Sequence, residues 1–91
     1  MMYPFVKYSD GTEVVFSNIR KKENNDEYIW VCFERPTDKG FDTVIFELPS
    51  YEIVKRDGEY TEDEIERFKQ VVERGAPMFF KYANEGGMKS A

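Results

Sequence analysis

With 91 residues, 41% hydrophobic and 34% charged, the chain is too apolar for disorder, too polar for a membrane-embedded protein and long enough for one hydrophobic core. A formal net charge of −5, from 13 basic and 18 acidic side chains, repels duplex DNA and anionic lipid, so neither is an expected partner. The single cysteine, Cys32, permits no intrachain disulfide and no cysteine-built zinc site, and no basic segment leads into an apolar run near the start; together these features predict a cytoplasmic protein.

Residues 3–8 and 12–19 are β-favouring runs joined by Ser9, Asp10 and Gly11, and Asp-Gly supplies the positive φ that tight hairpin turns need. Residues 20–27 (RKKENNDE) hold no apolar side chain and read as a surface loop. Residues 28–35 (YIWVCFER) form a third strand whose apolar run predicts a central position, ended by Pro36. Residues 41–48 (FDTVIFEL) form a fourth, ended by Pro49, which has no backbone N–H to donate. The alternation of Tyr51 and Ile53 within residues 50–58 predicts a short edge strand.

Thr61 and Glu64 have the spacing of a capping box, and Tyr60 is placed to staple onto Ile65. Ile65, Phe68, Val71 and Val72 then recur at helical spacing, with Glu66, Arg67, Lys69, Gln70, Glu73 and Arg74 on the opposite side, until Gly75 provides a stop. Pro77 can open a second, shorter helix running toward Asn84, a strand over residues 78–82 being the alternative. Strands first and helices afterwards predict an α+β domain: a four-stranded antiparallel meander, five-stranded with the edge strand, followed by an amphipathic helix and a short C-terminal helix packed on the sheet. Residues 1–85 form that single domain in this reading, and residues 86–91 a disordered tail.

Alternation along the third strand puts Ile29, Val31 and Phe33 on one face and Tyr28, Trp30, Cys32 and Glu34 on the other. The fourth strand repeats this, with Val44, Phe46 and Leu48 on the first face and Phe41, Thr43, Ile45 and Glu47 on the second. The helix stripe matches the first face and leaves the second to be explained. Three coverings are open: the C-terminal aromatics Phe79, Phe80 and Tyr82 folding over it, a homodimer through that face or an edge strand, or a bound partner.

Chemistry narrows the field. Without histidine there is no Ser-His or Cys-His nucleophile pair, and Cys32 in mid-strand reads as an inert buried thiol. The acidic group Glu59, Glu62, Asp63, Glu64 and Glu66 complements a helix dipole and lacks the ligand spacing of a calcium loop, so no metal is expected. No glycine-rich phosphate loop is present, Lys89-Ser90 having none before it, so no cofactor is expected. The leading expectation is a non-enzymatic interaction or regulatory module that binds a protein partner or itself through Tyr28, Trp30, Phe41 and Ile45. The alternative is a weak binder of single-stranded nucleic acid that stacks bases on the same rings, with Lys21, Lys22, Lys55 and Arg56 on phosphates. Glu23, Asp26, Glu27 and Asp57 lie beside those cations and cancel most of their field.

Overall fold

A computed structural model describes residues 2–86; residues 87–91, where most of the expected tail and Lys89-Ser90 fall, lie outside the described residues. The elements are strands β1 (Met2–Lys7), β2 (Glu13–Ser17), β3 (Arg20–Lys21), β4 (Glu27–Thr37), β5 (Gly40–Leu48) and β6 (Glu52–Asp57), then helix α1 (Glu62–Asn84). The strands form one antiparallel sheet in the order β1-β2-β4-β5-β6, with β3 paired to the start of β4. The α+β expectation holds, and the edge strand is present as β6. No helix among the described residues is long and apolar enough to cross a membrane.

Local signals explain most of the hairpins. Gly11 takes φ +92°, the Tyr8 amide donates to the Thr12 carbonyl, and Asp10 Oδ1 accepts from the Thr12 amide, closing the first turn. Residues 20–27 are a second short hairpin rather than an open loop. Asn25 takes φ 69°, Asn24 bonds Asp26 through its side chain, and Arg20 lies opposite Tyr28. Pro36 does not end β4 as expected. It pairs with Phe41 on one side while β2 begins at Glu13, opposite Glu34, so Pro36 has a strand neighbour on one flank only, where a missing N–H is tolerated.

The larger correction concerns the helix. Thr61 and Glu64 do form the reciprocal capping box, but α1 runs 23 residues through Gly75 and Pro77, and among the described residues no second helix begins. Gly75 serves packing: a Cβ there would stand 2.9 Å from the Phe79 ring, one turn on. That ring is fully buried, 4.7 Å from Phe5 and 5.5 Å from Phe16 between centroids. Continuing the helix is what carries Phe79 and Ala83 into the core, which outweighs the hydrogen bond lost at Pro77.

Ile29, Val31, Phe33, Val44, Phe46 and Leu48 are all fully buried against α1, together with Val14 and Phe16 of β2. The C-terminal rings therefore pack on the same face as the rest of the helix, and the expectation that they fold over the second face is overturned. The shortest molecular dimension, 22 Å, accommodates one sheet and one helix layer and no third.

The N-terminal end of α1 is held by Arg35. Its guanidinium donates to Asp42 Oδ2 (2.8 Å) and Glu64 Oε2 (2.6 Å), approaches Asp10 (3.6 Å) and lies over the Tyr60 ring, joining β4, β5, the first turn and the helix. Asp42 Oδ1 accepts from the Glu59 amide, at a point where Gly58 (φ +90°) brings its backbone so close that a Cβ would lie 2.7 Å from the Asp42 Cα. The Asp42 carboxyl is held below its ordinary value of 3.8 by the Glu59 amide and then by Arg35, and Glu64 below 4.5 by the Thr61 amide and then by Arg35.

Both folded values are depressed. Their stabilisation is therefore fully present above the ordinary carboxyl range and is lost as pH falls below about 4 through the lowered values. Arg35→Ala leaves Asp42 buried beside Asp10 and Glu64 without a counter-charge. It should cost about 2–4 kcal/mol in urea unfolding at pH 7 and flatten the loss of stability between pH 5 and 2. Gly75→Ala, despite its better helix propensity, should destabilise by about 1–2 kcal/mol because the Phe79 ring cannot retreat.

Candidate interaction face of the sheet

The second face carries no element of the described chain. Register defines it: Pro4, Val15, Cys32, Ile45 and Lys55 form a row across β1, β2, β4, β5 and β6, since each is the partner of the next. On one side of this row lie Trp30 and Glu47, partners in β4 and β5, with Tyr28 beyond them. On the other side lie Glu13, Glu34 and Thr43, with Phe41 beyond. All four residues expected at an interaction face, Tyr28, Trp30, Phe41 and Ile45, thus share it. Phe41 is 60% exposed, whereas Tyr28, Trp30 and Ile45 are half-buried.

The two rings of β4 are dressed by cations from the hairpin before them. Arg20 lies 5.2 Å over Trp30 and Lys22 5.6 Å over Tyr28, close enough for cation–π attraction. Lys22 also donates to Glu47 Oε2 at 3.0 Å, and the Trp30 indole donates to Glu47 Oε1 at 3.4 Å. These partners hold the Glu47 carboxyl below its ordinary value, the Lys22 bond first, and raise Lys22. β3 and its turn are therefore part of the face, and the polar run at residues 20–27 supplies its cationic end.

The four cations expected to contact phosphate are not brought together. Lys22 and Lys55 are on this face, and Lys22 is neutralised by Glu47. Arg56 is the partner of Val44 on the helix side, where it bonds the Tyr60 carbonyl and Glu62. Lys21 is paired with Glu27, one residue out of phase with Arg20 and Tyr28, and so points away from the rings.

Cys32 is buried at the centre of the face, its thiol donating to Glu34 Oε1 at 3.4 Å, and burial and then Glu34 push its pKa up to about 12. Catalysis by a carboxyl pair needs one carboxyl held protonated near neutrality. Every carboxyl with a resolved shift, Asp10, Asp42, Glu47 and Glu64, is moved downward instead. Among the described residues no group of three or more potential ligand side chains is arranged for a metal ion. Two of the acidic residues near the helix start are used locally: Glu62 pairs with Arg56, and Glu64 with Thr61 and Arg35.

Arg20, Val15 and Glu47 belong to this face but are not in the set that aromatic content singles out. Glu47 was legible from its alternation with Ile45. Val15 and Arg20 depend on how β2 and β3 register against β4. A thiol reagent at neutral pH should leave Cys32 unmodified in the folded protein and label it fully in denaturant; rapid native labelling would show that the face opens. No protein-family model, curated protein or solved structure matches this chain.

Proposed function

We propose that this protein is a non-enzymatic interaction module of the cytoplasm that docks onto a protein surface through the helix-free face of its sheet. The observation that carries the reading is the half-buried group of Tyr28, Trp30, Val15 and Ile45 on a face that no described element covers, with Phe41 projecting at its margin. Contiguous apolar surface of this kind on a small protein marks contact sites, and aromatic anchors beside a polar rim are the usual composition of a protein interface. The lowered carboxyls and the raised thiol support a role without acid–base or nucleophilic chemistry. Stacking of nucleic-acid bases finds less support, because Arg20 and Lys22 already lie over the two rings.

Replacing Ile45 by a photo-crosslinking residue in cells should yield a protein adduct, whereas the same residue at Glu66, on the exposed side of α1, should not. Trp30→Ala should reduce the adduct at position 45 by about tenfold or more without loss of folding, as expected for an anchor side chain. The absence of any adduct at position 45 would overturn the docking role, and a salt-sensitive gain in oligonucleotide binding over the same face would replace it with the nucleic-acid reading.

A further inference from the structure

We infer that the occupant of the helix-free face is the same face of a second copy, the two sheets stacking with antiparallel strands about a two-fold axis along the Val15–Cys32–Ile45 row. This rests on the docking role proposed above and names its partner. The row itself is uncharged until Lys55 at the margin. Counting two residues from Cys32 toward the start of β4 gives Trp30, which carries Arg20, and counting two toward its end gives Glu34. These positions lie about 7 Å to either side of the axis. Among the described residues neither Arg20 nor Glu34 makes an ion pair, and the side-chain hydrogen bond that Glu34 accepts comes from the Cys32 thiol. The two-fold operation brings each Arg20 to the other copy's Glu34, so two unpartnered charges per copy are satisfied at once.

Shape follows the same operation. In β5, Phe41 is four residues to one side of Ile45, and at the other end the strand closes at Leu48 and Pro49 opens the turn. Pro49, Tyr28 and Glu47 border an open cleft of about 430 Å³, while Phe41 stands exposed at the opposite end. Antiparallel stacking sets the projecting ring of one copy over the cleft of its partner. Stacking with parallel strands would instead set Arg20 and Lys22 against themselves and Glu34 against Glu34, three like-charge contacts, whereas the antiparallel arrangement sets only the exposed Lys55 at the end of the row against its own copy.

Edge pairing is opposed by the sheet's own margins. β1 has a bulge and Pro4, and β6 has a bulge and carries Glu52, Lys55, Arg56 and Asp57. Five strands at about 4.8 Å spacing and about 20 Å length give a face of roughly 500 Å² per copy. The resulting total of roughly 1,000 Å² is at the lower limit for a specific interface, so the dimer should be weak and concentration-dependent.

Sedimentation velocity of the full chain from micromolar to near-millimolar concentration tests this, with far-UV circular dichroism confirming that each variant folds. Wild type should convert reversibly from monomer to dimer, and Ile45→Glu should remain monomeric. Arg20→Glu and Glu34→Arg should each weaken the dimer about tenfold or more, and their combination should restore it to within a few-fold of wild type. A wild-type monomer at every concentration overturns the inference, as does a dimer that the combined reversal fails to restore. If the monomer result comes with a photo-adduct of another protein at position 45, the docking role stands with a different partner. If it comes with no adduct, both fail.

Discussion

One helix has to cover one face of a six-stranded sheet, and the structure depends on its being held at both ends. At the start, Arg35 gathers Asp42, Glu64 and the Tyr60 ring, tying β4 and β5 to the helix cap. At the far end the Phe79 ring is wedged against Phe5 and Phe16, which the absence of a side chain at Gly75 permits. Between these points Phe68 stacks on Phe33 at 4.3 Å and Val72 is fully buried. The two anchors differ in character: the aromatic wedge draws on apolar burial and is insensitive to pH, while the Arg35 cluster weakens when its carboxylates take up protons.

Using the whole helix on one face leaves the other, among the described residues, to side chains alone. The short hairpin of residues 20–27 is the chain's own response, laying Arg20 and Lys22 across Trp30 and Tyr28 and satisfying Glu47. Long cationic side chains cover ring surface with their stems while keeping their charge at the water interface, so the face is partly shielded and remains wettable. In the docking role proposed above, a surface built in this way would favour reversible contact over the permanent burial of an obligate interface.

Much of this was legible before any coordinates. The Asp-Gly turn, the capping box, the two strands with aliphatic alternate positions and the separation of Trp30 from Val31 onto opposite faces each follow from local chemistry: a positive φ, a side-chain oxygen aimed at orphan amides, and a side-chain period of two. The errors have a common cause. A helix stop at Gly75, a new helix opened by Pro77 and a strand end at Pro36 all follow from intrinsic backbone preferences, and each is overruled by packing or by which strand flank is occupied. The charged run at residues 20–27 read as loop because it has no apolar residue, yet its hairpin is closed by Asn24, Asn25 and Asp26.

The sequence by itself determined the class of fold, the identity of the buried stripe and the composition of the second face, because these depend on residue type and on periods of two and 3.6 that are written locally in the chain. Only the tertiary structure decided that the helix is continuous, that Arg35 is its anchor, and that Arg20 and Val15 share a surface with Trp30. Those facts depend on the register between strands far apart in sequence and on which core cavity a ring such as Phe79 can fill, and neither is encoded by any single segment.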